Sequence, residues 1–169
     1  FGSVTRSIRS LVTKKLKFNF MDIYKEIEKN LNITINKIFE VKGEEYFRKI
    51  EEQTTLKKLK LNSSVISLGG GAFTNNNIRK EILKNHLSFR LNWDDNILLN
   101  RIKNSRKRPV AINATDTEVI DLSKKRTNIY AKALYEIKCD NLTRSEIVNR
   151  SIEIYEKDVS TKQHQRSWW

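Results

Sequence analysis

Apolar positions along the chain follow two alternating rhythms, one helical and one of short unbroken runs. Ile8, Leu11, Val12 and Leu16 recur at helical spacing within residues 7–17, and Ile23, Ile27 and Leu31 line one face of a second helix. "TINKIFEVKG" continues helically until Gly43 offers a stop, and "EEYFRKIEEQTTLKKL" follows with Phe47, Ile50 and Thr54 on one side. Between these lie the runs "FNFMDI", ending as a strand at Asp22, and "SSVISLGGG", whose continuous apolar residues suit a parallel strand covered on both faces.

The alternation continues downstream. "NNNIRKEILKN" predicts a helix capped by Asn75, "LSFRLN" a strand, and "WDDNILLNRIKN" a helix with Asp94 and Asp95 in its first turn. Residues 104–122 lack periodicity and read as a long irregular segment. "KKRTNIYAKALYEI" is helical again, "IKCD" a last short strand, and "TRSEIVNRSIEIYEK" a final helix whose Thr143 and Glu146 form a capping box. Residues 158–169 carry no pattern and read as a disordered tail. Strands alternating with helices predict a three-layer α/β/α domain with a mainly parallel sheet, in which ligands bind beyond the carboxyl ends of the strands. Asp22 and the glycines after "VISL" both stand at such ends, so they are expected to face one site.

Length and composition narrow the setting. The 169 residues suffice for one domain with a hydrophobic core. The single cysteine, Cys139, excludes an internal disulfide and suits a reducing compartment. No run reaches the ~18 apolar residues of a membrane span, and the N-terminus lacks a signal-peptide apolar region, so a cytoplasmic protein is expected. The net charge of +13 invites a nucleic-acid reading. However, the lysines are spread along the whole chain and the aromatics do not interleave with a basic cluster, so no nucleic-acid partner is expected. Positive charge equally suits small anions such as nucleotides.

Candidate chemistry centres on glycine and arginine. Three of the five glycines stand together as Gly69, Gly70 and Gly71. Without side chains they let backbone approach a ligand and donate N–H groups to it. A tight turn that needs positive φ explains such a run equally well. Arg48 lies three residues before Glu51, a spacing at which the carboxylate would orient the guanidinium. Arg108 precedes Pro109 in the irregular segment, and Arg126 opens the helix after it. A mobile loop carrying an arginine suits phosphoryl transfer, where it neutralises charge and excludes water.

The ordered blocks "FNFMDIYKEIE", "GEEYFRKIE", "VISLGGGA", "LNRIKNSRKRPV" and "KKRTNIYAKA" closely resemble shikimate kinase, a small P-loop kinase of the nucleoside monophosphate kinase type. The resemblance runs from about residue 2 to residue 157, in a domain drawn at 1–157 with a lid at about 104–122. It implies ATP-dependent phosphorylation of shikimate with Mg2+, in a cytoplasmic monomer. It further implies that Arg48 and Arg126 clamp the acid's carboxylate, with Glu51 orienting Arg48, and that Gly69, Gly70 and Gly71 serve the substrate hydroxyls. Arg108 would reach the phosphates, Arg101 would pack on the adenine, and Asp22 would support magnesium through water.

Two departures mark the chain. The family's phosphate loop, GxxxxGK[ST], corresponds to Gly2, Ser3, Val4, Thr5, Arg6 and Ser7. Val4 stands at the last glycine, Thr5 at the lysine and Arg6 at the metal-binding hydroxyl. The fold is accordingly expected to lack its first strand. A loop slipped by one residue would bring Arg6 to the phosphates and Ser7 to the metal, against the stiffness of β-branched Val4. Tyr24 stands where the family has an aspartate that holds a substrate hydroxyl, and a phenol with pKa ~10 is a poor base near neutral pH. The sequence therefore predicts an intact acid clamp with weak or absent turnover. A non-catalytic acid-binding module and a kinase for another small polyol acid are the alternatives.

Overall fold

The computed structural model describes residues 2–94, 97 and 116–166. Arg101, Arg108 and the greater part of the expected lid lie outside the described residues, as does the helix expected at 93–104 apart from Trp93, Asp94 and Ile97.

The described chain runs α1 (Gly2–Leu16), β1 (Asn19–Asp22), α2 (Ile23–Leu31), α3 (Ile35–Leu59), β2 (Ser64–Ser67), a 3₁₀ turn (Ala72–Thr74) and α4 (Asn76–Asn85). It continues with β3 (Phe89–Asn92), α5 (Asp116–Tyr130), β4 (Tyr135–Lys138) and α6 (Arg144–Arg166). Both strand ladders are parallel. β1 pairs with β2, Asn19 opposite Ser64 and Asp22 opposite Ser67. β3 pairs with β4, Phe89 opposite Tyr135 and Asn92 opposite Lys138. Among the described residues the two pairs are separate two-stranded sheets, so they do not complete one continuous sheet.

Three apolar clusters hold the elements together. Ile8 of α1 packs with Trp93, Ile137, Cys139, Ile147 and Val148, joining α1 to the β3–β4 pair and α6. Ile23, Ile27, Ile35, Ile38 and Phe47 lock α2 onto α3. Leu59, Ala72, Phe73, Ile78 and Ile82 seat the 3₁₀ turn and α4 on α3, with Tyr130 of α5 packed against them. Cys139 is a buried free thiol, as a small apolar residue would be.

Local chemistry sets the ends. The Asn75 side chain accepts the N–H groups of Asn77 and Ile78 and so starts α4 as expected. Thr143 and Glu146 make the reciprocal capping box. Gly43, at φ 78° and ψ 172°, breaks α3 into two segments, where the sequence placed a stop.

Five expectations need correction. α1 begins at Gly2 rather than at residue 7. On α3 beyond Gly43 the buried positions are Phe47, Glu51, Thr55 and Leu59, one per turn, so Thr54 is not on the core side. α5 begins at Asp116, inside the stretch expected to be irregular, and ends at Tyr130. Tyr135 and Glu136 belong to β4 because they pair with Phe89 and Arg90. Finally, α6 runs on to Arg166, past the boundary drawn at residue 157. The Tyr135 hydroxyl donates to Asp158 Oδ1 at 3.1 Å and ties this extension to the β3–β4 pair.

Candidate functional site

β1 and β2 end side by side, so Asp22 and the start of the glycine segment emerge at the same edge. Asp22 closes β1 and caps α2: its Oδ1 accepts the N–H of Tyr24 at 3.1 Å and of Lys25 at 3.3 Å. That cap turns the chain sharply and carries Tyr24 over the neighbouring strand end.

The reason for the glycines is close approach. Among the described glycines only Gly43 has positive φ, so the turn explanation for Gly69, Gly70 and Gly71 fails. A Cβ at Gly69 would collide with the Tyr24 phenol. At Gly71 it would fall 2.7 Å from Arg48 Cζ and 2.8 Å from Nη2. At Gly70 it would meet only Arg126 Nη1, at an ordinary 3.9 Å. Gly69 and Gly71 are thus beds for side chains of α2 and α3, while Gly70 faces α5.

Arg48 is fixed from two sides. Nη1 donates to Glu51 Oε2 at 2.6 Å, and Nε and Nη2 both donate to Glu44 Oε1 at 3.1 and 3.0 Å. A guanidinium has five N–H groups. Three are used here, so five less three leaves two, one on each terminal nitrogen and so placed to meet a carboxylate as a fork. Beneath the guanidinium, Phe47 lies 5.2 Å from Cζ to ring centroid. Phe47 itself is held edge-on by Tyr24 and packed on Phe39, at 5.5 and 4.7 Å.

The pair is electrostatically uneven. Glu51 is buried, with its side chain 2% exposed against 28% for Arg48. Burial raises the Glu51 pKa, opposed by the Arg48 bond, the Tyr24 hydroxyl and the charge of Arg126. For Arg48, burial pulls the pKa down, but the bonds to Glu51 and Glu44 outweigh it and the net direction is up. Arg48 therefore stays charged across the working pH range. On the far side, Arg126 Nη1 reaches the Gly70 carbonyl oxygen at 3.4 Å, a long and weak bond.

Arg48, Glu51, Tyr24, Arg126 and the three glycines thus converge on one site, although β2 separates α3 from the glycines and α4 and β3 separate the glycines from α5 in the chain's order. Glu44 and Tyr130 are site residues that sequence reasoning missed. Each stands four residues from an arginine already singled out, Glu44 before Arg48 and Tyr130 after Arg126, so helical spacing alone held the signal.

The phosphate side differs from expectation. Gly2, Ser3, Val4, Thr5, Arg6 and Ser7 are the first turns of α1, not an open loop. Ser7 is half-buried and already makes a contact within the protein. Among the described residues no cluster of three His, Cys, Asp or Glu could hold a metal. Magnesium that arrives with phosphates needs only one or two carboxylates, so Asp22, at the strand end with one oxygen spent on the cap, fits a water-mediated role.

Parallel strands joined through helices, with an arginine-rich pocket at the strand ends, define an α/β phosphotransferase-like domain. The family model for shikimate kinase matches residues 3–156. The shikimate kinase of Thermodesulfovibrio yellowstonii is 32% identical over 157 residues, covering 92% of this chain and 91% of that protein. The shikimate kinase of Bacillus subtilis is 36% identical over 159 residues, covering 87% and 80%. Among solved structures, shikimate kinase from Aquifex aeolicus superposes with a TM-score of 0.79 at 29% identity, covering 90% of this chain and 89% of that one. Shikimate kinase from Acinetobacter baumannii, solved in complex with shikimate, shares the fold with a TM-score of 0.83 at 23% identity, covering 90% and 87%. The chain belongs to the shikimate kinase family. No helix among the described residues is long and apolar enough to cross a membrane.

Proposed function

We propose that this chain binds shikimate at the Arg48–Arg126 pocket and transfers the γ-phosphoryl group of ATP to it, giving ADP and shikimate 3-phosphate. The observation that supports this best is Arg48, anchored by Glu44 and Glu51 with two N–H groups left over beside Gly71. A planar fork held so rigidly is matched to a carboxylate and loses little entropy on binding.

In this reading the acid's carboxylate lies between Arg48 and Arg126, and its hydroxyls lie along Gly69, Gly70 and Gly71. The acceptor hydroxyl oxygen attacks the γ-phosphorus, the bond to the β–γ bridging oxygen breaks, and the hydroxyl proton leaves to solvent. Arg108 neutralises the transferring group, Arg101 stacks on the adenine, and the start of α1, Gly2 to Ser7, meets the phosphates, where the N–H groups of its first four residues have no helical partner. When bound, magnesium would be held through water by Asp22 and would supply charge neutralisation to the phosphates. The working protein is read as a cytoplasmic monomer.

Slow turnover follows from two residues. Thr5 carries no charge where a lysine would meet the phosphates, and Tyr24 offers a phenol where a carboxylate would orient the hydroxyl. These favour a second reading, an acid-binding module with little transfer activity. Calorimetric titration with shikimate and with ATP, beside shikimate-dependent ADP release, tests both. Saturable shikimate binding with slow ADP release supports the first; binding of the acid with no release and no ATP binding supports the second. No binding of shikimate overturns both.

A further inference from the structure

α5 brings two donors, one helical turn apart, to a single carbonyl. Tyr130 donates its hydroxyl to the Gly70 oxygen, and Arg126 approaches the same oxygen at 3.4 Å. The Tyr130 ring is held against the cluster of Ala72, Phe73 and Ile78, so its hydroxyl is delivered by packing rather than by a free rotor.

The peptide unit makes this bond consequential. The Gly70 carbonyl and the Gly71 N–H belong to one planar trans unit and point in opposite directions. Gly70 and Gly71 have no Cβ to restrict that unit's rotation, and glycine is the residue least able to hold an orientation by itself. Drawing the Gly70 oxygen towards α5 therefore turns the Gly71 N–H away from α5, on the residue over which Arg48 lies. The same bond supplies the carbonyl with a strong neutral donor, so the carbonyl does not depend on its long, weak contact with Arg126.

We propose that Tyr130 is a positioning residue for the acid pocket. Its hydroxyl fixes the Gly70–Gly71 peptide so that the Gly71 N–H meets the acid, and it keeps Arg126 available for the carboxylate. The proposal rests on the shikimate-binding reading above.

Tyr130→Phe removes the hydroxyl and keeps the ring. Losing one hydrogen bond of this kind should weaken shikimate binding about fivefold to tenfold by calorimetry. ATP affinity should stay within about twofold, and thermal stability should change little because the ring still packs. In an Arg126→Ala background the same substitution should lose the part of its effect that runs through the guanidinium and keep the part that runs through the Gly71 N–H. A purely structural role would lower stability and weaken both ligands together, and would overturn the proposal. So would shikimate affinity within twofold of the unaltered protein. If the unaltered protein binds no shikimate, the underlying reading fails and the proposal falls with it; if it binds and the variant binds equally, only the proposal fails.

Discussion

The Arg48 guanidinium occupies the space over Gly71 that any side chain would need, with Cζ 2.7 Å from where a Cβ would stand. An arginine held by two carboxylates cannot step aside without breaking those bonds. Gly71→Ala should therefore displace the guanidinium and weaken shikimate binding by about tenfold or more, the equivalent of one charge-assisted hydrogen bond. Gly70→Ala is the control: its Cβ meets only Arg126 Nη1 at 3.9 Å. Its stability should stay within about 0.5 kcal/mol of the parent in thermal melts.

Removing Glu51 leaves Arg48 with Glu44 alone. Glu51→Ala should cost about 2 kcal/mol, below the ~3–5 kcal/mol for breaking a fully buried pair because Arg48 is partly solvated. Denaturant titration measures the loss, and an unchanged midpoint would show that the pair does not anchor α3.

Glu51→Gln separates charge from shape. Burial raises the Glu51 pKa in the folded chain, so its contribution to stability is fullest below the unfolded value of ~4.3 and declines as pH rises through the raised folded value. Glutamine stays neutral throughout. The melting temperature of the variant should accordingly gain on that of the parent as pH rises above the unfolded value of ~4.3. The opposite sign applies to Glu52 and Glu146, whose pKa values are lowered by bonds from Asn77 and Asn75 and from Thr143. Their contributions are present above ~4.5 and fade as the pH falls.

Tyr24→Asp tests why turnover should be slow. A carboxylate at this place can orient the acceptor hydroxyl, so shikimate-dependent ADP release at pH 8 should rise. The ring contact with Phe47 is lost, at a cost of about 1–2 kcal/mol including the aromatic pair. No gain in rate would show that the phenol is not the limiting feature.

Thr143→Ala removes the cap of α6, whose hydroxyl bonds Glu146 and accepts its N–H. A loss of about 1 kcal/mol in chemical unfolding, with ligand affinity unaltered, is expected.

The residues by themselves determined the order of the described helices and strands, the caps at Asn75 and Thr143, the break at Gly43 and the pairing of Arg48 with Glu51. Each of these rests on local physics: apolar spacing, a side chain bonding its own backbone, or two groups one turn apart on a helix. Where the sequence reading went astray, the deciding partner was distant. Tyr135 reads as helical until it pairs with Phe89, and the last helix runs on past residue 157 with Asp158 tied to Tyr135. Only the tertiary structure decided what the glycines are for. Their φ angles are unremarkable, and the need for a missing side chain appears once Tyr24 from α2 and Arg48 from α3 are laid over them. Steric exclusion between segments far apart in the chain leaves no trace in the local pattern.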